Sequence, residues 1–381
     1  MIRHQRKRTV LAILSFLLSV WTAGLGSEPA LQQLKTEADK ALQIVPHSVM
    51  EKSLLPPSGD KHDFLSIAPY WWPDPASSNG LPYIRRDGQK NPQSREGTDD
   101  DTMGRMCTDV QTLALAYRLT GNEQYAAKAA TLLKVWFLDP ATKMNPHLEY
   151  AQGIAGINTG RGIGIIDSRP FIVATQAMGW LQGSPEWTAE LQQGMKEWFR
   201  AYLDWMLTSK NGLEEAKAGN NHESWYLAQT AAYALFVGDQ AQARKSVELG
   251  LELIAAQIEP DGRQPLELER TRSYRYSCFN LEALFTLAEF GPAVGVDMFA
   301  YRTSDGRCLR AALDYMAPYF KTGTKWPGQQ ITEVKQPDEL LANLLRRAGI
   351  AYNEPAYEEM IHDAKLEKNR FQLLWPRDPI R

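Results

Sequence analysis

Apolar residues recur at helical spacing through most of the chain, in segments that come in pairs. Leu31 to Val45 carries the first such pattern, and Pro46 ends it. Asp101 to Leu119 and Glu123 to Leu138 follow, split by Thr120-Gly121-Asn122, a glycine stop and an asparagine start. Ser168 to Leu181 and Pro185 to Leu207 form the next pair. Asn221 to Phe236 and Gln240 to Ile258 form another, parted by Gly238-Asp239. Ser273 to Phe290, Arg307 to Phe320, Pro337 to Ala348 and Glu354 to Leu366 complete the helical segments. Few alternating β-branched runs compete with them.

Between the pairs the pattern breaks. From Lys52 to Asp101 a series of prolines and glycines punctuates a long irregular segment, and Tyr70-Trp71-Trp72 and Tyr83 within it argue against disorder. Asp139 to Asp167 is also irregular, with Gly160, Gly162 and Gly164; Thr208 to Asn220 and the segment around Gly262 and Pro265 are shorter loops. Helix, short turn, helix, long loop is the recurring order. It predicts an all-α protein, an α/α toroid: an incomplete barrel of paired antiparallel helices whose long loops form a cleft at one end. An open helical solenoid is the rival, and no fixed repeat length supports it.

Composition changes the picture at the N-terminus. Arg3, Arg6, Lys7 and Arg8 precede an uncharged apolar run from Val10 to Thr22, then Gly24-Leu25-Gly26. That is the order of a secretory signal, and the run is shorter than the roughly 20 residues of a spanning helix. Residues 1–26 are therefore expected to be a removed signal peptide and 27–381 a single domain, in a periplasmic or secreted protein with no integral membrane span. With 44% hydrophobic residues the chain supports a large core. Loss of the four basic residues takes the formal net charge from -3 to about -7, which argues against nucleic acid as partner. An anionic substrate must then be attracted locally. Cys107, Cys278 and Cys308 are too few and scattered for a disulfide framework or a zinc site; they read as buried thiols, with one disulfide as the alternative.

Candidate chemistry gathers in two stretches. In Gly219-Asn220-Asn221-His222-Glu223, one asparagine can cap the helix that starts there. The other, with His222 and the free N–H groups of a helix start, suits a carboxylate. In Glu267-Leu268-Glu269-Arg270-Thr271-Arg272-Ser273-Tyr274-Arg275-Tyr276, Arg270 can pair with a carboxylate through two prongs, and Tyr276 is a phenol able to move a proton. The bland alternative pairs Arg270 with Glu267 or Glu269 and packs Tyr276 in the core. Taken together, Asn221, His222, Arg270 and Tyr276 match the needs of β-elimination in a uronate polymer: neutralise the carboxylate beside C5, remove the C5 proton, protonate the departing O4 oxygen. The scheme needs no metal or other cofactor. Tyr70, Trp71 and Trp72 can stack on sugar rings, while Asn145, His147, Tyr150, Gln152 and Asn220 can bond hydroxyls. Asp99-Asp100-Asp101 reads as charge at a helix start.

At these residues the chain resembles the alginate lyase domain family of polysaccharide lyases, which includes mannuronate-specific α/α-barrel enzymes. The shared strings are Ser58-Gly59-Asp60-Lys61-His62-Asp63, Ala68-Pro69-Tyr70-Trp71-Trp72-Pro73-Asp74-Pro75, Met144-Asn145-Pro146, Gly160-Arg161-Gly162-Ile163-Gly164, Asn220-Asn221-His222 and Glu267-Leu268-Glu269-Arg270-Thr271. The resemblance implies that Asn221 and His222 meet the substrate carboxylate with Arg270. It implies that Tyr276 is the acid and, in syn elimination, also the base; in anti elimination His222 is the base. Arginine and tyrosine stand one residue closer together here than in the better-studied mannuronate lyases, which keeps Tyr274 as an alternative. Glu223 is expected to point away from the site or to pair with a cation. Other classes to weigh are another polyuronate lyase, such as one for glucuronan, a glycoside hydrolase on the same toroid using Asp167, Glu223, Glu267 or Glu269, and a binding protein without turnover.

Overall fold

The protein is described here from a computed structural model, which covers residues 28–376 apart from 363, 365 and 367. The expected signal segment, 1–26, lies outside the described residues. Helices dominate: α1 (Glu28–Leu42), α2 (Asp100–Thr120), α3 (Glu123–Phe137), α4 (Pro170–Trp180), α5 (Ala189–Thr208), α6 (Lys210–Glu215) and α7 (Asn221–Val237). Then come α8 (Gln240–Gln257), α9 (Pro265–Leu268), α10 (Ser273–Val294), α11 (Leu309–Met316), α12 (Glu339–Ala351), α13 (Pro355–His362) and α14 (Phe371–Leu374).

Five of these helices form an inner arc in which neighbours pack in chain order: α2 on α4, α4 on α7, α7 on α10, α10 on α12. Outside it, α3 backs α2, α5 and α8 back α7, α11 backs α10 and α13 backs α12. This is an α/α toroid. The composition of α7 explains its inner position, because a helix apolar on every side must be covered on every side. From Ser224 to Ala234 every residue of α7 is buried. The few polar groups inside are mutually bonded: Ser168 Oγ lies 2.6 Å from Tyr202 Oη and 2.7 Å from Gln229 Oε1, tying the start of α4 to α5 and α7. At the open side of the arc, Arg370 joins Gln111 of α2 and Glu37 of α1.

The predicted punctuation holds where it was local. Gly121 sits at φ +71° to end α2, and Asn122 accepts the Gln124 N–H to begin α3. Other features differ. The expected loop 208–220 contains α6, begun by Ser209 accepting the Gly212 N–H. The irregular segment 52–101 holds short strands: β1 (Leu65–Ile67) and the hairpin of β2 (Trp71–Trp72) with β3 (Ile84–Arg85). Strand β1 pairs in parallel with β4 (Tyr150–Gly153), a partner about 85 residues away that no local pattern reveals. All three cysteines are buried free thiols.

Two devices hold these loops to the helices. Lys52 and Asp99 form a fully buried ion pair at 3.1 Å, and Asp99 also accepts the Leu65 N–H at 2.8 Å, fixing β1 to the start of α2. Behind β4, Gly160 and Gly164 pass so close that a Cβ on either would lie 2.0 Å from the Glu149 carbonyl oxygen or 2.5 Å from that of Ala151.

Candidate active site

The N-terminal ends of α2, α4, α7 and α10 open into one cleft of about 1080 Å³, roofed by the 67–95 loop. A helix start carries partial positive charge, so helix starts bordering one space favour an anion. Side chains reinforce the effect. Nine arginines and lysines line the cleft against four aspartates, although the whole chain carries a net charge of -3. Lys90, Arg161, Arg169, Arg272 and Arg275 are among the nine and were not singled out from the sequence. Arg161 stands inside the glycine string and Arg272 and Arg275 inside the second polar stretch, so a count of cations per loop would have found them.

Asn220 is the cap of α7: its Oδ1 accepts the His222 N–H at 3.0 Å. Asn221 differs from the expectation. It is completely buried, and its Nδ2 donates to both oxygens of Glu267 at 3.0 and 2.8 Å while its backbone N–H donates at 2.8 Å. The Asn221 amide therefore ties α7 to α9 from within the cleft wall. Burial pushes the Glu267 carboxyl upward in pKa, and the Asn221 donors oppose that shift.

His222 lines the cleft and keeps 15% of its side chain exposed. Its Nδ1 lies 2.8 Å from Oε1 of Glu215, a buried carboxylate on α6 that the sequence reading missed. With Nδ1–H donated to Glu215, Nε2 is left as the nitrogen that meets a ligand. Glu223 turns away and accepts the Gly219 N–H at 2.8 Å.

Across the cleft, Arg270 pairs with neither Glu267 nor Glu269 but with Asp87, at 2.7 Å from Nη2 to Oδ1. Its guanidinium carbon lies 3.6 Å from the centroid of the Tyr276 ring. Tyr276 is 9% exposed and lines the cleft, and its hydroxyl donates to Tyr70 Oη at 2.7 Å. Tyr274 is 2% exposed, packed edge-on against Trp326 and absent from the cleft lining. Burial and the neighbouring Tyr70 push the Tyr276 phenol above its usual pKa, while Arg270 works in the opposite direction. The phenol is thus held protonated, with a cation at hand for the phenolate.

The expected sugar contacts divide. Tyr70, Trp71 and Gln152 line the cleft. Gln152, held at φ +50°, bridges Arg161 at 3.0 Å to the buried Asp167 at 2.8 Å, and Ser66 Oγ donates to Asp167 at 2.6 Å. Burial and nearby Asp100 raise Asp167 to about 7. Trp72, Asn145, His147 and Tyr150 do not line the cleft. Trp72 donates its indole N–H to the Gln89 carbonyl at 2.9 Å. Asn145 donates to Asp60 at 3.1 Å and Asp63 at 2.7 Å, and His147 Nε2 lies 3.0 Å from Asp63, so these side chains knit two loops together. Tyr150 is part of β4, beside the His147 ring. Asp100 and Asp101, at the start of α2, pair with Arg95. No cluster of three or more His, Cys, Asp or Glu side chains suited to a metal occurs among the described residues.

A cationic cleft containing a tyrosine, a histidine and an arginine is the setting in which the comparisons with known proteins acquire chemical meaning. The alginate lyase family model matches residues 48–326. The chain belongs to the alginate lyase family. It is accordingly a polysaccharide lyase. A crystal structure of an alginate lyase from Bacteroides ovatus is 42% identical, with a TM-score of 0.89 over 93% of this chain and 95% of that one. Alginate lyase A1-III is 15% identical in a histidine-to-alanine variant complexed with tetrasaccharide, with a TM-score of 0.60 over 92% and 96% of the two chains. The same enzyme from Sphingomonas species A1 gives 14% and 0.50 over 92% and 97%. At such identities the last two speak for the shared toroid alone. Among curated proteins none matches the chain.

Proposed function

We propose that this lyase cleaves alginate, with polymannuronate as its preferred substrate, by β-elimination in the cationic cleft. The observation that carries the reading is the convergence of His222, Arg270 and Tyr276, from two helix starts 52 positions apart, on one cation-rich space. The 42%-identical structure from Bacteroides ovatus, described as an alginate lyase, supports the choice of polymer. In this scheme His222 Nε2, the remaining Nη1 end of Arg270 and the helix starts stabilise charge that develops on the C5 carboxylate. Asn221 holds the α7 start in place through Glu267. The C5–H bond breaks, its electron pair forms the C4=C5 double bond, and the C4–O4 bond breaks as Tyr276 protonates O4. In syn elimination Tyr276 first releases its own proton to solvent, the phenolate being stabilised by Arg270, then takes the C5 proton and passes it to O4; in anti elimination His222 Nε2 takes the C5 proton and the Tyr276 phenol gives its own to O4. Tyr70 and Trp71 offer faces to the sugar rings.

Export is part of the proposal, resting on Arg3 to Arg8 and the apolar run after them. No helix among the described residues is long and apolar enough to cross a membrane.

The test is incubation of the 27–381 chain with polymannuronate, polyguluronate, glucuronan and hyaluronan, following the ultraviolet band of the unsaturated product. Absorbance rising fastest with polymannuronate is expected. A faster rise with glucuronan would reassign the polymer; new reducing ends without absorbance would replace elimination by hydrolysis.

A further inference from the structure

Arg270 would serve as a two-pronged clamp on a substrate carboxylate only if one edge of its guanidinium were free. The Nε edge is not. Nε lies 3.2 Å from both carboxylate oxygens of Asp87, and Nη2 lies 2.7 Å from one of them. The flat face of the same guanidinium rests on the Tyr276 ring. The other edge, formed by Nη1 and the second hydrogen of Nη2, makes no hydrogen bond among the described residues. Asp87 is itself held by its surroundings: the Thr271 N–H reaches Oδ2 at 3.2 Å, and Thr271 Oγ1 lies 2.9 Å from the Asp87 carbonyl and 3.0 Å from Oδ2. The next residue, Gly88, has φ +72°, and a Cβ there would lie 2.3 Å from Thr271 Oγ1, so only glycine lets the turn dock this closely.

We propose that Asp87 is a positioning residue of the elimination, holding the Arg270 cation against the face of Tyr276 by its Nε edge and leaving only the opposite edge for the substrate. The inference rests on the acid-base role given to Tyr276 above. Arg270 then has two separate tasks. Its charge, fixed on the ring face, stabilises the phenolate whenever Tyr276 is without its proton. Its Nη1/Nη2 end is left for the substrate carboxylate, while the Asp87 fork on the Nε edge keeps the cation on the ring. A loop anchor alone would not require the fork on Arg270, since the Thr271 hydroxyl on the Asp87 carbonyl already holds the turn without the carboxylate. The carboxylate fork adds control over the plane of the guanidinium, which is what a bidentate pair supplies.

Without the Asp87 charge, Arg270 is free to leave the ring and follow the substrate carboxylate. Asp87→Asn should therefore lower kcat about tenfold while KM stays level or falls, a split opposite to that of a lost substrate contact. The decisive experiment is a double-mutant cycle of Asp87→Asn and Arg270→Met on polymannuronate, with Thr271→Val as a control for loop anchoring. Expected are a kcat loss from Asp87→Asn that vanishes in the Arg270→Met background and near wild-type kcat in Thr271→Val. Losses that multiply across the cycle, or a Thr271→Val enzyme that copies Asp87→Asn, would overturn the proposal. Should Asp87→Asn melt well below wild type, Asp87→Glu carries the same cycle, because it keeps the charge but moves the fork by one methylene. Wild-type protein that yields no unsaturated product from any polyuronate would instead remove the lyase chemistry assigned to Tyr276.

Discussion

Two polar clusters in this protein are built from similar residues and behave differently. One joins Ser58, Asp60, Asp63, Asn145 and His147; the other comprises Asn221, His222, Arg270 and Tyr276 with their partners. In the first, Asp63 accepts from Ser58 at 2.6 Å and Asn145 at 2.7 Å and sits 3.0 Å from His147. Nothing in it lines the cleft. In the second, a carboxylate stands behind three of the four groups, Glu215 behind His222, Glu267 behind Asn221 and Asp87 behind Arg270, while Tyr276 donates to Tyr70. Yet His222 Nε2 and Arg270 Nη1 remain for a ligand, in a space bordered by helix starts. A site is therefore marked less by polar residue types than by polar groups left over after the fold has satisfied its own needs.

This contrast is exposed to a double dissociation. The largest effect is expected from Tyr276→Phe, which should lower kcat by about 10³-fold with substrate binding and melting temperature retained. Substantial turnover in that variant would remove the tyrosine from the proton transfers. His222→Ala should follow, at about 10²-fold in kcat, measured as the rate of unsaturated product formation. An intermediate Glu215→Gln rate would show that Glu215 matters through the imidazole. In the loop cluster the signs reverse: His147→Ala or Asn145→Ala should cost about 1–3 kcal/mol of stability by denaturant unfolding, with kcat and KM within about twofold of wild type. A loss of activity without a loss of stability there would return Asn145 or His147 to the substrate.

The smallest effect concerns Asp167, which touches both worlds because it borders the cleft while bonded to Ser66 and Gln152. Its folded-state pKa is raised to about 7, so between the usual carboxylate range and that value the folded chain holds a proton the unfolded chain has lost. Stability from this group is present at low pH and declines as pH rises through that window. Asp167→Asn should remove the decline, so its melting temperature relative to wild type should rise from pH 5 toward pH 8. A gap independent of pH would show that Asp167 is ionised throughout.

Much of the fold was legible because helices announce themselves locally. Periodicity located the inner and outer partners from α2 to α8, and Gly121-Asn122 and Gly238-Asp239 acted as the expected stop and start signals. The short α6 escaped notice because six residues are too few for a period to show, and with it went Glu215. Strands β1 and β4 escaped because their pairing is distant and their length slight. Within the site, the residue types of the two stretches and the string resemblance named His222, Arg270 and Tyr276, while Asp87 carried no local signal at all.

The order of helices, the family and the polar inventory of the two helix starts were thus determined by the sequence itself, since each depends on residues within a few turns of one another. Which asparagine caps and which one braces, which of Tyr274 and Tyr276 faces the cleft, and which loop carboxylate takes Arg270 were decided only by tertiary structure. The physical reason is that hydrogen bonds of long side chains select partners by proximity after packing. The Asp87–Arg270 pair, 183 residues apart in the chain, exists only once the toroid has brought the 67–95 loop against the start of α10.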